Sequence, residues 1–225
     1  MDGLNRREAL LGASGALLAG GQAAAATIDR VDGAGGGRRP GIILLHGADG
    51  VTQRQSYVFA SNALAAQGYT VLFPHYFSGA GTAPLSEIHT RYPQWLARLK
   101  TILDEAAADP AIDPRRMALV GISLGGALAL SLAAQDARIR AVVSYFGFRP
   151  RDLDGARPKA PTLILHGNAD RIVPVANADS IEALLRSRGV PVEKRIYPGE
   201  GHGFGQAAQR DAATRTAAFL GRHLA

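Results

Sequence analysis

The 225-residue sequence contains no cysteine. Disulfides, a thiol nucleophile, thiolate metal sites and a cysteine-linked lipid anchor are therefore excluded. Aromatic residues make up only 6%, and no apolar run approaches about twenty residues, so no spanning helix is expected. An H-E-x-x-H string and clusters of His with acidic residues are both missing, and no metal site is expected. No G-x-G-x-x-G follows a strand-like run, so no dinucleotide is expected either; the chemistry should need no cofactor. The chain carries 25 Lys and Arg against 19 Asp and Glu, a formal charge of +6. The cations are scattered singly or in pairs, such as Arg38 with Arg39 and Arg115 with Arg116. Without a basic stripe or interleaved aromatics, nucleic acid is not an expected partner.

What is present suits one globular body. Apolar residues make up 47% and charged ones 20%, enough for one sizeable core but too short a chain for two ordinary domains. Residues 1–26 read differently from the rest. Arg6 and Arg7 open the segment, Ala9 to Ala19 is apolar and helix-prone, and Gly20 to Ala26 offers small side chains. That order is the form of an export signal. Asn5-Arg6-Arg7-Glu8-Ala9-Leu10-Leu11 resembles a twin-arginine signal, a receptor-read address for folded cargo. Cleavage is expected near Ala24 to Ala26, leaving residues 27–225 as a single periplasmic domain without stable membrane insertion.

From about Gly41 onward, short β-branched runs alternate with longer Ala- and Leu-rich stretches of helical period. This is the pattern of a mainly parallel α/β sheet with helices on both faces. Strands are expected at Ile42 to Leu45, Val71 to Pro74, Met117 to Val120, Ala141 to Tyr145, Thr162 to Leu165 and Lys194 to Tyr197. Helices are expected near Arg54 to Gln67, Tyr92 to Ala108, Leu124 to Gln135, Ala176 to Arg188 and Gln206 to His223. Gly68 suits a left-handed helix cap, and Asp109-Pro110 ends the second helix by removing a donor. Gly189 stops the fourth in the same way as Gly68. Gly33 to Gly37 reads as a flexible entry, since no helix follows it directly.

The segment Met117-Ala118-Leu119-Val120-Gly121-Ile122-Ser123-Leu124-Gly125-Gly126 carries the chemistry. It is an apolar strand running through G-x-S-x-G into a helix. With 27 glycines in the chain, such a string arises easily by chance; its weight comes from lying between a strand and a helix, where a tight turn exposes the serine hydroxyl. Ser123 is the expected nucleophile. The Leu124 N–H, at the helix N-terminus, is an expected oxyanion donor. Ser123's bland alternative is an ordinary N-cap serine.

A serine hydroxyl needs a neutral imidazole to accept its proton. Of six histidines, His202 lies in Pro198-Gly199-Glu200-Gly201-His202-Gly203-Phe204, between the last strand and the last helix, where a loop can swing it to the sheet edge. His46 and His166 fall at strand ends, where bonding to backbone is the expected role; His89 lies in a variable stretch and His223 on the terminal helix. The base in turn needs a carboxylate to fix its tautomer. Asp170, in His166-Gly167-Asn168-Ala169-Asp170-Arg171-Ile172-Val173-Pro174, follows a buried strand and fits; a turn or N-cap aspartate is its bland alternative. Asp179 lies in a helix, and Asp152 and Asp154 precede the strand.

The order Ser123, Asp170, His202 is that of the α/β-hydrolase fold and differs from other serine-triad folds. A second oxyanion donor is expected from Leu45-His46-Gly47-Ala48-Asp49-Gly50, with the Ala48 N–H favoured over a simple tight turn. From Pro40 to the C-terminus the chain resembles the dienelactone hydrolase family. The carrying motifs are His46-Gly47 after a strand, Gly121-Ile122-Ser123-Leu124-Gly125-Gly126, His166-Gly167-Asn168-Ala169-Asp170 with Val173-Pro174, and Tyr197 to Phe204. Dienelactone-opening members use a cysteine nucleophile and a glutamate in the first oxyanion loop; Ser123 and Gly47 stand at those positions here. The departure favours a general esterase with a conventional triad over a dienelactone-specific enzyme. The family's carboxylate-binding arginines have no motif to carry them over, and Arg54 and Arg91 are candidates for surface charge only.

The expected activity is hydrolysis of a small or medium carboxylic ester or lactone, the small-molecule partner, through an acyl-enzyme. An amide or peptide hydrolase would use the same three residues, and a catalytically silent binding protein could share the fold. Tyr76 to Tyr92 is the longest expected irregular stretch and a candidate pocket wall, with Phe77 and Tyr92 either facing substrate or packed in the core. No motif assigns other pocket residues or an oligomeric state.

Overall fold

The computed structural model describes residues 26–77 and 81–225; the segment read as an export signal, apart from Ala26, lies outside them. Each of the six expected apolar runs forms a strand, and a seventh precedes them. The strands are β1 Ile28–Val31, β2 Arg39–Leu45, β3 Thr70–Pro74, β4 Ile112–Ile122, β5 Ile139–Tyr145, β6 Thr162–Gly167 and β7 Val192–Tyr197. The helices are α1 Arg54–Ala65, α2 Ile88–Ala108, α3 Leu124–Gln135, α4 Ala176–Ser187 and α5 Gln206–Leu224. One sheet runs in the order β1-β3-β2-β4-β5-β6-β7. Its pairs are parallel except β1 with β3, which is antiparallel.

The period-two alternation of the strands divides the core into two layers. Ile43, Leu45, Leu119 and Ile164 face one layer, shared with Trp95 and Leu99 of α2, Leu128 and Leu132 of α3, and Ile181 of α4. Ile42, Leu44, Val120, Val143 and Leu165 face the other, shared with Leu64 of α1 and Phe219 and Leu220 of α5. Both faces are covered, which is why the central strands read as unbroken apolar runs. Helix α3 lies behind the turn at Ser123 and is buried from Leu124 to Ala133; its apolar residues surround the axis, as a central helix requires.

Three departures from the sequence reading have local causes. Strand β1 was not expected, because Asp29 and Arg30 interrupt its four residues; it is an edge strand held by backbone pairing with β3. Strand β4 begins at Ile112, ahead of the apolar run, since Ile112 and Asp113 already pair with Arg39 and Pro40 before a bulge. Helix α2 begins at Ile88 after a 3₁₀ turn at Leu85–Glu87, so the stretch from Tyr76 to Tyr92 is not irregular throughout. Pro93 sits inside α2, in its second turn, where the helix accommodates the missing N–H. Gly68 caps α1 with φ 92° and Gly189 follows α4 with φ 72°, as the composition of those turns requires.

Strand order also places the site. From β2 the chain crosses to β3 on one side, whereas β4, β5, β6 and β7 succeed one another on the other. The connections leaving β2 and β4 therefore diverge at the carboxyl edge and open a crevice there, the usual ligand position in such sheets.

Candidate active site

Ser123 sits between β4 and α3 with φ 54° and ψ −117°. A non-glycine residue there is strained by roughly 1–3 kcal/mol, and the surroundings hold it in place. Its N–H donates to the Tyr145 carbonyl at 2.9 Å, and its own carbonyl accepts from the Gly126 and Ala127 N–H groups. The motif glycines are required by close approach. A Cβ on Gly121 would lie 2.2 Å from the Gly125 carbonyl oxygen, and one on Gly125 would lie 2.4 Å from that of Leu45. The start of α3 thus rests directly against the ends of β2 and β4.

The structure brings together the three residues singled out from widely separated segments. Ser123 Oγ and His202 Nε2 are 2.8 Å apart, and His202 Nδ1 and Asp170 Oδ2 are 2.8 Å apart. Asp170 Oδ1 accepts from the N–H groups of Ile172 and Val173, each at 2.9 Å. Burial opposes the charge on Asp170, but the bonds from His202, Val173 and Ile172 outweigh it and hold the carboxyl below its ordinary value. A carboxylate can only accept. His202 Nδ1 must therefore carry a proton and donate it, leaving the Nε2 lone pair to accept from the Ser123 hydroxyl.

A second histidine touches the same acid. His166 Nε2 donates to the Val173 carbonyl at 2.8 Å and lies 3.4 Å from Asp170 Oδ2. Burial lowers the His166 pKa, so it stays neutral and leaves the carboxylate to His202. Its backbone bond matches the role expected for this strand-end histidine, and the same holds for His46, whose Nδ1 donates to the Gly47 carbonyl at 2.8 Å. Burial pushes His46 down to about 4. His223 lies on α5, Asp179 on α4, and Asp152 and Asp154 in a 3₁₀ turn before β6, whereas His89 lies within α2.

The loop after β2 runs beside Ser123: a Cβ on Gly47 would come within 3.5 Å of Ser123 Cβ. Two buried tyrosines clamp it. Tyr57 Oη accepts from the Gly47 N–H at 3.1 Å, and the Tyr76 hydroxyl donates to the His46 carbonyl at 2.5 Å, its ring stacked on His46 with centroids 3.9 Å apart. Burial raises both phenols, Tyr57 to about 12, so each remains a neutral hydroxyl. The Ala48 carbonyl accepts from the Ala83 N–H at 2.7 Å. The N–H groups of Ala48 and Leu124 donate to no protein acceptor among the described residues, which leaves both available to a ligand.

The tyrosine clamps were not singled out from sequence, because tyrosines in a helix and after a strand carry no motif. Phe146 was also missed. It is the only described non-glycine residue besides Ser123 with positive φ, at 38°, and its ring packs 4.8 Å from His202 and 5.2 Å from Phe204. Phe77 lies against His46 and Trp95, and Tyr92 bonds Ser131 Oγ at 2.7 Å; of the two roles left open for them, these contacts are those of core packing. Arg54 pairs with Asp29, and Arg91 with Glu87, so both are engaged in ion pairs. Among the described residues, no cluster of His, Asp or Glu could hold a metal ion.

A strained serine after a central parallel strand, bonded to a loop histidine and through it to an aspartate, on a doubly covered sheet, defines the α/β-hydrolase fold. Residues 25–222 match the dienelactone hydrolase family, and the chain belongs to it. A Methylorubrum extorquens protein provisionally named a carboxymethylenebutenolidase is 28% identical over 191 residues, covering 75% of this chain and 64% of that protein. A Xenopus tropicalis protein named carboxymethylenebutenolidase homolog is 21% identical over 170 residues, covering 72% and 69%. The chain thus spans somewhat under two thirds of the length of the first of these relatives. Among solved structures, esterase PE8 superposes with a TM-score of 0.75 at 19% identity, covering 88% of this chain and 99% of that one. A dienelactone hydrolase-like phosphotriesterase from metagenomic libraries gives 0.76 at 20%, covering 89% and 100%. At these identities the structural likeness speaks for the fold.

Proposed function

We propose that this chain hydrolyses carboxylic esters or lactones of small to medium size through an acyl-enzyme on Ser123. The reading is carried by the continuous hydrogen-bonded chain from Ser123 Oγ through His202 to Asp170. Ser123 Oγ attacks the carbonyl carbon while its proton passes to His202 Nε2. The imidazolium is stabilised by Asp170, and the oxyanion accepts from the N–H groups of Leu124 and Ala48. Collapse expels the alcohol, which takes the proton from His202. Water, deprotonated by the same nitrogen, then releases the acid and restores the serine.

Initial rates on short-chain p-nitrophenyl esters test this reading. Ser123→Ala and His202→Ala should each lower kcat by roughly 10⁴- to 10⁶-fold, and the double variant should be no slower than either alone, because the residues act as a unit. Retention of most activity in Ser123→Ala would defeat it. Amide hydrolysis uses the same groups, so a matched p-nitroanilide belongs in the panel; the ester is expected to be the faster substrate.

Residues 1–26 are proposed to be a twin-arginine export signal that delivers residues 27–225, as one folded domain, to the periplasm. Support comes from the Arg6-Arg7 pair and the apolar and small-residue stretches that follow. Cell fractionation should find the shortened protein in the periplasm, and replacing both arginines by lysine should leave it inside.

A further inference from the structure

The first oxyanion loop carries a charge that the proposed mechanism does not use. Asp49 follows Ala48 directly and is exposed at the carboxyl edge of the sheet. One position locates its carboxylate relative to the nucleophile: a Cβ on Gly47 would touch Asp49 Oδ1 at 2.8 Å and Ser123 Cβ at 3.5 Å. The acid and the serine are therefore separated by little more than the space of one methyl group. Asp49 Oδ2 accepts from the Thr52 hydroxyl at 3.2 Å, and among the described residues no other side chain bonds this carboxylate. No arginine, lysine or histidine pairs with Asp49 among the described residues, whereas Asp29, Asp32, Asp113, Asp136 and Asp179 elsewhere in the protein each have such a partner. Arg171, the rim cation nearest in sequence to Asp170, belongs to the loop after β6, two strands beyond β4.

An uncompensated carboxylate beside the position of a developing oxyanion raises the barrier for any substrate that brings no positive charge, and more so for one that brings another negative charge. A substrate cation placed next to it removes that penalty. We propose that Asp49 is a specificity-determining residue that selects esters bearing a cationic group near the scissile carbonyl and disfavours those bearing a carboxylate. The inference rests on the ester hydrolase reading above and supplies its substrate class.

The test uses three p-nitrophenyl esters of equal acyl length ending in methyl, carboxylate and trimethylammonium, assayed with the full chain, Asp49→Asn and Glu193→Gln. Asparagine keeps the acceptor for Thr52 and removes only the charge, whereas Glu193, paired with Arg222 on the outer strand, controls for net charge. Wild-type kcat/KM should fall in the order ammonium, methyl, carboxylate. At a separation of roughly 6 Å the charge accounts for about three- to thirtyfold between neighbouring members of that order. Asp49→Asn should lower the ammonium-to-carboxylate ratio by at least that factor, rising salt should shrink the wild-type ratio, and Glu193→Gln should leave it in place. An unchanged ratio in Asp49→Asn, or an equal fall in Glu193→Gln, overturns the assignment while leaving the esterase reading intact. Wild-type rates indistinguishable from Ser123→Ala on all three esters would instead remove that reading and the assignment with it.

Discussion

Ser123 holds a backbone conformation that suits its chemistry better than its stability. At φ 54° and ψ −117° the penalty falls on Cβ, and glycine would not incur it. Ser123→Gly should therefore raise the urea unfolding free energy by on the order of 1 kcal/mol while abolishing ester turnover. Ser123→Ala should lose activity without that gain. Equal stabilisation by both variants would show that the strain is not in the backbone. Phe146, the second strained residue, packs against the His202 ring, so both sit where an imidazole must be held still. Ser123, Asp170 and His202, which the structure bonds together, could be picked out from sequence because the first two follow apolar strands and the third stands in a glycine-rich loop before the last helix. Phe146 could not, since a phenylalanine beside a buried strand reads as core and its φ appears only in coordinates.

At the scale of elements, the turn works because helix α3 approaches the sheet more closely than side chains allow. Gly125→Ala would place a methyl 2.4 Å from the Leu45 carbonyl oxygen, a backbone atom that cannot move aside without shifting β2. It should cost at least about 2 kcal/mol by denaturant unfolding and lower activity through the displaced Leu45–Ala48 loop. A neutral effect would mean that α3 can slide away from β2. Elements with a strong period were readable: α3, α4 and α5 lie within two residues of expectation. Those whose pairing is set by distant partners were not. Strand β1 has too few apolar residues to announce itself and exists because β3 offers a free edge; the first turn of α2, Ile88 to Arg91, carries a single apolar residue, so no period announces its start.

For the molecule as a whole, two buried neutral histidines link folding to pH. Burial holds His46 at about 4, against an unfolded value near 6.5, and lowers His166 in the same direction. Between those values the unfolded chain binds protons that the folded chain refuses. Stability is thus full above about pH 6.5 and falls as pH drops toward 4, by roughly 3 kcal/mol for His46 alone. Asp170 adds a loss at still lower pH, where its depressed carboxyl is finally protonated. Denaturant midpoints between pH 7.5 and 4 should show this slope, and His46→Phe, which cannot titrate, should flatten it. A slope of the opposite sign would contradict the burial of these rings. The layered α/β plan was legible throughout, because both faces of the sheet are covered and the strands advertise it. The tyrosine clamps on the loop after β2 depend on how α1 and the loop after β3 dock, and no local pattern encodes that.

The central claim is that the Ser123 hydroxyl is activated by His202 in the folded protein. Reaction with a fluorophosphonate probe, followed by peptide mapping by mass spectrometry, tests it most directly. The expected result is one adduct, on Ser123, formed rapidly by the native protein, slowly by His202→Ala and not at all after unfolding. An adduct on another residue, or an equal rate in His202→Ala, would contradict the account.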